Sequence, residues 1–497
     1  MLAVGGRLQI CVALVSLLAV ACEGDASTAD TAPTSERDTP ATVGATTTGA
    51  KAKATTGAET ETDARTETDA GTETETETRC TPALKTSLAR RSSWGPSAHV
   101  DVVDPDHNLD RFFAAWIDVV NGKRRKLRIA VFGDSNTQGD WAAAFLRKRL
   151  GAELGLGGHG IVGPGKPNPW YEHRAIRTRQ GDGWTTYSVS PHSSRTRQPR
   201  GVAGMVGVGA VAGAWLEWRP ARGIESPLPA NERFSRAHIH YICAPGGGRF
   251  DVRVDRKRVR TIDTDCPEAA YRVADLRVPL ARHRVRIFTT KPRVVVFGAS
   301  FENDDPGVVI DGIGINSANY KWLLRADEHT FHAGLAARKY DLVILATGIS
   351  MWAELDHYGL AAAFIGRFRH ALGDDVSILV MPPGVWGNRK GERVWLRSHI
   401  LRVVKEKREV AARNHTGFWN YFAAMGGKRA LRRLMARKQI YRDLLHFPPI
   451  THAHMMHRLA AALDDAFAAY LDRNHIDCAS ADATAATANA EHGHHKQ

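Results

Sequence analysis

The chain has 497 residues, of which 43% are hydrophobic and 24% are charged, and its formal net charge is +14. At the usual ~150 residues per domain, this length allows two or three domains around a substantial buried core. After residue 21 no apolar run reaches the ~20 residues that a membrane-spanning helix requires, which excludes a protein with several membrane spans.

The N-terminal segment is typical of an export signal. Residues 8–21 form one apolar run after Arg7, too short to span a membrane, and the run ends in small residues directly before Cys22. The stretch LAVAC (18–22) resembles the bacterial lipobox, in which the cysteine is lipidated and becomes the new N-terminus. This resemblance implies an exported lipoprotein, anchored through Cys22 at the cell envelope on a periplasmic or a surface-facing side. Cleavage near residue 21 and release without an anchor is the alternative.

Two segments outside the folded part are expected to be disordered. Residues 22–79 are rich in Thr, Ala and Glu and carry few apolar side chains, so little offsets the entropy of ordering them, and they predict a solvated tether. Residues 476–497 end in a low-complexity tail whose histidines are expected to be solvated rather than bound to a metal. The folded part lies between these two segments.

The positive charge is concentrated in the folded part. Residues 23–79 are acidic, whereas the runs GKRRKLR (122–128) and RALRRLMARK (429–438) are strongly basic. In a cytoplasmic protein such runs would suggest nucleic acid. In an exported protein they favour anionic envelope polymers or lipid headgroups, so no specific nucleic-acid partner is expected. Basic, solvated faces that bind nothing explain the same runs equally well.

Export to an oxidising compartment allows disulfides among the four cysteines of the folded part and its ends. Cys243 and Cys266 flank a β-like stretch and are the favoured pair, whereas Cys80 and Cys478 bracket the folded part. Four cysteines allow three pairings, and the sequence does not choose between them.

The folded part begins with an α/β pattern. The run LRIAVF (127–132) predicts a buried strand, and apolar residues at helical spacing from Trp141 to Leu150 predict a helix after it. This order of strand, turn and helix is typical of the first unit of a parallel sheet. The glycine-rich run 155–165 follows a helix rather than a strand, so it lacks the setting of a phosphate-binding loop. We expect a close-packed loop near the site there.

Residues 166–304 predict an all-β insertion. The runs HIHYIC (238–243), FDVRVD (250–255) and HRVRIF (283–288) alternate apolar and polar residues, as half-buried antiparallel strands do. The run APGGGR (244–249) predicts a turn between the first two of them.

The α/β pattern then resumes. The runs at 308–316, 340–348 and 376–383 predict three more buried strands, with helices between them. A last helix carries five apolar residues on one face, namely Met455, Leu459, Leu463, Phe467 and Leu471.

The predicted fold class is therefore α/β, with a doubly wound parallel sheet in three layers. Residues 80–165 and 305–475 form this domain, and the β module of residues 166–304 interrupts it.

Ser135, Asp443 and His446 form a candidate set for acyl transfer. Ser135 follows the first strand and begins a helix, where backbone N–H groups favour a developing anion. Asp443 and His446 are three residues apart, a spacing that lets the carboxylate orient the imidazole while its other nitrogen faces the serine. Considered by itself, Ser135 is explained equally well as a helix cap. The D-x-x-H spacing, considered by itself, occurs by chance in many chains. Both segments, however, belong to the carboxyl edge of the predicted sheet, where sites form.

Four segments in this order resemble the sequence blocks of the SGNH, or GDSL-type, hydrolases. They are FGDSNTQG (132–139) for block I, VVIDGIGINSANY (308–320) for block II, YDLVILATGIS (340–350) for block III and DLLH (443–446) for the terminal block. The resemblance implies a flavodoxin-like α/β esterase. In it Ser135 is the nucleophile, His446 the general base and Asp443 the residue that orients the base.

The β insertion adds a second resemblance. The exported peptidoglycan O-acetylesterase branch of the same superfamily is similar in having an insertion between blocks I and II. There the inserted segment is a jelly roll that resembles a carbohydrate-binding module, which implies the same architecture for residues 166–304.

The family's oxyanion hole combines the nucleophile's own N–H, a block II glycine N–H and a block III asparagine amide. This chain has Ser317 at the glycine position, and Gly348 and Ser350 where G-x-N is usual. The Ser317 backbone N–H is retained, but the Ser350 hydroxyl is shorter than an asparagine amide. Loss of one such donor costs about 10²–10³ in turnover.

Several further residues are weaker candidates. Asn136 is a candidate replacement donor at the oxyanion, and Asp134 belongs to the same oxyanion and substrate region. His454 and His457 could share a helix face, but no carboxylate or cysteine cluster accompanies them, so no metal is expected. Four aromatic residues could line a sugar cleft, although burial is the default for each: Trp170, Tyr171, Trp352 and Trp386.

The sequence thus predicts a serine esterase that needs no cofactor and hydrolyses acyl esters, chiefly acetyl, on an envelope or extracellular glycan. An O-acyltransferase with the same three residues is one alternative. A catalytically weak glycan-binding protein is another. The changes at Ser317 and Ser350 favour the binding protein, whereas the retained Ser135, Asp443 and His446 argue against it. The oligomeric state is not predicted.

Overall fold

The computed structural model describes residues 100–221, 233–351 and 356–476, together with Thr81 and Leu84. Several predicted features lie outside the described residues: the export signal, Cys22, the 22–79 tether, Cys80, Cys478, Trp352 and the tail after residue 476.

The strands of the described residues are, in chain order, β1 (Val102–Val103), β2 (Lys126–Gly133), β3 (Gly158–Val162), β4 (Ile176–Gln180), β5 (Trp184–Ser188), β6 (Met205–Gly209), β7 (Trp215–Pro220), β8 (Phe234–Cys243), β9 (Arg249–Val254), β10 (Lys257–Asp263), β11 (Ala270–Ala281), β12 (Val285–Lys291), β13 (Val294–Glu302), β14 (Gly307–Gly314), β15 (Leu342–Ala346), β16 (Ser377–Val380), β17 (Gly387–Lys390), β18 (Arg393–Leu396) and β19 (Gly417–Trp419). The helices are α1 (Asp110–Val120), α2 (Ser135–Gln138), α3 (Trp141–Leu154), α4 (Tyr320–Leu323), α5 (Glu328–Arg338), α6 (His357–Leu372), α7 (His399–Arg413), α8 (Tyr421–Ala424), α9 (Ala430–Ala436) and α10 (Pro449–Arg473).

The central sheet has six strands in the order β1-β19-β16-β15-β2-β14. All pairs are parallel except that of the edge strand β1 with β19. The chain places β14 on one side of β2 and β15 on the other, so the winding direction reverses at β2. The four buried runs predicted as strands of the α/β domain are confirmed as β2, β14, β15 and β16.

The two faces of this sheet are covered by different helices. Along β2, Ile129 and Val131 pack into one core with α1, α3 and α10, whereas Ala130 and Phe132 pack into a second core with α5, α6 and α7. This alternation follows from the two-residue period of a strand. The five apolar residues predicted on one face of the last helix are all buried in α10. In the described ranges, no helix has both the length and the apolar character needed to cross a membrane.

The β-rich region between β2 and β14 consists of two antiparallel sheets. One has the order β10-β9-β12-β7-β4, and the other β11-β8-β13-β6-β5 with β3 added to β13. Phe234 and Phe301 of the second sheet share one core with Phe250 and Leu216 of the first. The three predicted alternating runs lie within or largely within β8, β9 and β12. The turn after β8 therefore passes from one sheet to the other rather than closing a hairpin.

The glycine-rich run 155–165 is not the loop that we predicted, because it contains β3, which pairs antiparallel with β13. Glycine is required there for close approach to the next layer. A Cβ on Gly160 would lie 2.3 Å from Asp311 Oδ1, and this residue has a φ of 84°. The sequence predicted a loop because the glycines interrupt the alternation of apolar and polar residues that indicates a strand. Ile161 and Val162 nevertheless supply the buried side chains of β3.

Cys243 and Cys266 form a disulfide, the pairing that the sequence favoured. It links the end of β8 to the segment before β11. The two cysteines are 23 positions apart, and both lie within the β-rich region.

A buried charge cluster joins the β-rich region to the α/β layer. Arg338 is 2% exposed and donates to both oxygens of Asp311, at 2.8 and 2.9 Å, and to Glu302 Oε1 at 2.8 Å. Glu302 ends β13, whereas Asp311 lies in β14, so one guanidinium connects the two regions. Burial alone would raise the pKa of both carboxyls, but Arg338 holds each pKa below its ordinary value. Both carboxylates are therefore charged. Asp311 depends on Arg338 for its cation, whereas Glu302 also accepts two hydrogen bonds of 2.8 Å from Arg128.

The substitution Arg338→Met should lower the free energy of unfolding by about 3–5 kcal/mol, because it leaves the buried carboxylate of Asp311 without its cation, whereas Glu302 keeps its contacts with Arg128. Thermal and denaturant unfolding measure this loss. The matched control Arg277→Met removes an arginine whose side chain is 75% exposed, and it should change stability by less than about 0.5 kcal/mol. Equal, small effects of the two substitutions would contradict a structural role for the cluster.

Candidate active site

Ser135 lies at the carboxyl end of β2, at the first position of helix α2. The preceding Asp134 caps this helix, because its Oδ1 accepts a hydrogen bond from the Asn136 N–H at 3.1 Å. Gly133 is needed for the sharp turn, since a Cβ there would lie 2.0 Å from Thr137 Oγ1. The backbone N–H of Ser135, as the first in its helix, has no acceptor within the helix.

His446 and Asp443 complete a hydrogen-bonded chain with Ser135. His446 Nε2 lies 2.8 Å from Ser135 Oγ, and His446 Nδ1 lies 2.6 Å from Asp443 Oδ2. A carboxylate can only accept, so Nδ1 carries the proton and Nε2 is free to accept the proton of the serine. The other carboxylate oxygen accepts from the backbone N–H groups of Leu445 and His446, at 3.0 and 3.1 Å. The tight D-x-x-H loop therefore holds both side chains in place.

The environment of this chain of groups favours a charged imidazolium. The hydrogen bond that His446 donates to Asp443 raises the pKa of His446 above its ordinary value, against the opposing effect of burial. Burial would raise the pKa of Asp443, but the bonds from His446 and from the backbone lower it on balance. The two side chains are 37% and 48% exposed, so the base is open to solvent and to a substrate.

Three turns converge on Ser135 because the strands that carry them are in register. Gly133 of β2 is paired with Gly314 of β14 on one side and with Ala346 of β15 on the other. The turn containing Ser317 follows β14, and the turn containing Gly348 and Ser350 follows β15. The structure therefore brings block I, II and III candidates to one sheet edge.

Ser317 adopts a left-handed backbone conformation with a φ of 56°, a region that glycine occupies without steric cost. Its Oγ lies 3.1 Å from Nε2 of His192, a residue of the β-rich region. Sequence reasoning missed His192, because nothing in its neighbourhood indicates contact with a residue 125 positions away. The contact ties the β-rich region directly to the block II turn.

The remaining oxyanion candidates have other contacts. The Ser350 carbonyl accepts from Asn319 Nδ2 at 2.8 Å, which links the block II and block III turns. Gly348 has a φ of 147°, and a Cβ on it would lie 2.7 Å from Pro383. The Asn136 amide donates to the Leu445 carbonyl at 3.4 Å and so joins the nucleophile turn to the histidine loop.

A buried pair of charges lies beneath these turns. Asp134 is 2% exposed and its Oδ2 accepts from the Ile349 N–H at 3.4 Å. Lys407 is completely buried and donates to the Tyr320 hydroxyl at 2.8 Å and to Thr347 Oγ1 at 2.9 Å. Burial raises the pKa of Asp134 and lowers that of Lys407 to about 7, and the attraction between the two groups opposes both shifts.

Lys407 was also missed by sequence reasoning, although a signal was present. It lies in the charged stretch VVKEKREV (403–410), which is typical of a solvated helix face. Ile400, Val403 and Val410 are nevertheless buried at helical spacing in α7, and Lys407 occupies the same stripe. A lysine on the apolar stripe of a helix indicates a buried ammonium with a specific partner.

The weaker candidates are placed differently. Tyr171 is 4% exposed and Trp170 is 71% exposed. Trp386 is partly buried under the guanidinium of Arg397, which lies 4.0 Å from the ring centre. His454 lies 3.2 Å from the side chain of Gln439. No group of three or more His, Cys, Asp or Glu that could hold a metal occurs in the part of the chain that the structure describes.

The architecture matches a solved structure of a peptidoglycan O-acetylesterase. The TM-score is 0.62, with 21% sequence identity over 74% of this chain and 99% of that chain. The chain shares the fold of that enzyme. This establishes an α/β fold with an associated β-rich region in both proteins.

Two further comparisons give much lower TM-scores. They are with a family two carbohydrate esterase from Clostridium thermocellum in complex with cellohexaose and with the salicylyl-acyltransferase SsfX3 of a tetracycline biosynthetic pathway. Their TM-scores are 0.25 and 0.26, their identities 11% and 13%, and they cover 55% and 62% of this chain and 99% and 98% of their own. No protein-family model and no curated protein matches the sequence.

The substitution Lys407→Met should lower the turnover of ester substrates at least about tenfold with little change in KM, because Lys407 holds the turns around Ser135 without reaching the substrate. Initial rates at several substrate concentrations measure this. The control Lys405→Met removes a lysine of the same helix whose side chain is 79% exposed. Equal kinetics for the two variants, both folded by thermal unfolding, would contradict this positioning role.

Proposed function

We propose that this chain is a serine esterase of the SGNH type that hydrolyses acyl esters, chiefly acetyl, on a glycan. The observation that carries the proposal is the continuous hydrogen-bonded chain from Ser135 through His446 to Asp443. A serine, a base and a carboxylate that orients the base are the groups that acyl transfer requires. The fold shared with a peptidoglycan O-acetylesterase supports the choice of an ester of a glycan.

In the proposed reaction, Ser135 Oγ attacks the ester carbonyl carbon while His446 Nε2 takes the hydroxyl proton. Asp443 accepts the hydrogen bond from Nδ1–H and stabilises the imidazolium that forms. The carbon–oxygen bond to the sugar then breaks as the imidazolium gives its proton to the leaving sugar oxygen. A water molecule, deprotonated by His446, attacks the acyl-serine and releases the free acid and Ser135.

The carbonyl oxygen becomes negatively charged in both steps. The Ser135 N–H in the first turn of α2 and the Ser317 N–H are the proposed backbone donors to it. Because Ser317 keeps the left-handed φ that glycine would have, the change of residue does not by itself move this N–H.

The location and the second domain are also part of the proposal. The apolar run before Cys22 supports export and attachment of the enzyme to the cell envelope by a lipid anchor. The two facing antiparallel sheets of the β-rich region support a jelly-roll-like module that presents glycan to Ser135.

The substitution Ser135→Ala should reduce acetate release from 4-nitrophenyl acetate and from O-acetylated glycan by at least about 10³-fold, because no other group attacks the carbonyl. The control Ser398→Ala removes an exposed serine hydroxyl and should leave both rates unchanged. Equal rates for wild type and Ser135→Ala would exclude the proposed esterase. Transfer of acetyl to added oligosaccharide, in place of free acetate, would identify an acyltransferase with the same residues.

The pH profile tests the role of His446. Only the neutral imidazole accepts the serine proton, so kcat/KM should fall as the pH is lowered through the pKa of His446. Because Asp443 raises this pKa, the midpoint should lie above the ordinary value of about 6.5. Asp443→Asn should move the midpoint down and lower the rate about 10³–10⁴-fold. An unchanged midpoint in this variant would contradict the assignment.

A further inference from the structure

A groove of about 620 Å³ lies between the β-rich region and the α/β layer. Its walls are residues 197–200, the turn after β8, the start of β13 and the segment before α5. Four arginines line it, and we call it the arginine groove after them: Arg197, Arg200, Arg293 and Arg325.

Among the described residues, these four guanidinium groups have no carboxylate partners. No ion pair joins any of the four to an Asp or Glu in the described part of the chain. By contrast, the buried Arg147 binds Asp140 through both terminal nitrogens, and the buried Arg338 binds Glu302 and Asp311. The single acid in the groove lining, Asp327, accepts a hydrogen bond from the Thr330 N–H at 2.9 Å and so caps α5.

The arginines also act on one another. Burial and the nearby charge of Arg325 both lower the pKa of Arg200. The Nε of Arg200 is buried and lacks a hydrogen-bond partner. Arg325 is held in place by stacking 4.6 Å from the Trp322 ring centre. An anion in the groove would relieve this repulsion and satisfy the free donors.

Two segments connect the groove to the candidate active site. His192 and Ser317 are in contact at 3.1 Å beside the oxyanion turn. From that contact one chain segment runs through residues 193–196 to Arg197, and the other runs through α4 to Arg325. Two chain segments that border the groove therefore lead directly to the contact beside Ser317.

The shape and lining favour a polysaccharide over other polyanions. The surface is a groove rather than the convex face that a lipid bilayer would need. Its described lining contains no Phe, Tyr or Trp on which nucleic-acid bases would stack. Backbone and small side chains at Ala244, Gly247 and Thr264 instead leave room for a chain of sugar rings.

We propose that the arginine groove binds the acidic backbone of the glycan substrate, through carboxylate or phosphate groups on sugars that adjoin the acylated sugar. The proposal rests on the proposed function, since it assigns the substrate class of the same site. The remote contacts would raise the affinity for acidic glycans without taking part in the chemistry at Ser135.

The test uses the full-length Ser135→Ala chain and measures binding of oligogalacturonate and of poly(glycerol phosphate) at low and high salt. The double substitution Arg200→Gln/Arg325→Gln should weaken binding at least tenfold, and added salt should weaken wild-type binding in the same way. Because Arg200 is partly buried, the exposed pair Arg197→Gln/Arg293→Gln serves as a second variant. The matched control Arg258→Gln/Arg277→Gln removes the same charge from side chains that are 67% and 75% exposed.

Weakened binding of oligogalacturonate alone would assign the anion as a carboxylate, and weakened binding of poly(glycerol phosphate) alone as a phosphate. Equal losses in the groove and control variants would overturn the proposal. So would tighter binding of single-stranded DNA or of phosphatidylglycerol vesicles than of either acidic polymer.

With Ser135 intact, the groove variants should hydrolyse 4-nitrophenyl acetate at the wild-type rate and lose at least tenfold in kcat/KM only on acidic O-acetylated glycan. Failure of the wild type to hydrolyse the aryl ester would contradict the proposed esterase activity. The proposed binding of acidic glycan would still be tested independently by the binding measurements on the Ser135→Ala chain.

Discussion

The pairing of β2 on both of its edges is the constraint on which the candidate site depends. Gly133, Gly314 and Ala346 lie side by side in the parallel register, so the three turns that follow them must converge. A slip of one residue in either pairing would move every side chain of a strand to the opposite face. Register here is fixed by burial on both faces of the sheet, with Val131 in one core and Phe132 in the other.

The β-rich region depends on the same sheet. In the sequence, this region is inserted between β2 and β14, which are neighbours in the central sheet. Its attachment must therefore leave the pairing of these two strands intact. Arg338, the last residue of α5, meets this requirement because it binds both Asp311 within β14 and Glu302 at the end of the β-rich region. The cost of burying three charges is offset only when all of them are paired. The cluster therefore favours one arrangement of the two regions over others.

Much of this arrangement could be predicted from local sequence. Buried runs of Val, Ile and Leu identified the parallel strands, and the alternating runs identified strands of the insertion, because both patterns reflect periodicity along a single segment. The spacing of Asp443 and His446 identified the histidine loop for the same reason. What could not be predicted depends on contacts between distant segments. The strand β3 has too few side chains to show a period, and the contact of His192 with Ser317 joins residues far apart in the chain.

The departures from the SGNH pattern at the oxyanion region have a common physical basis. A glycine at position 317 could not hold His192, whereas serine keeps the left-handed backbone and adds that contact. At the block III turn, the amide of Asn319 holds the Ser350 carbonyl, and Lys407 anchors Thr347 from below. Ser317 thus keeps its backbone N–H and adds a contact that fixes its turn, while Asn319 and Lys407 fix the turn after β15. Preorganised backbone N–H groups stabilise a developing anion without reorganising during the reaction. Lys407 anchors these turns from the buried side through Tyr320 and Thr347, so it acts on the anion through the position of the N–H groups and not through its own charge, which Asp134 opposes.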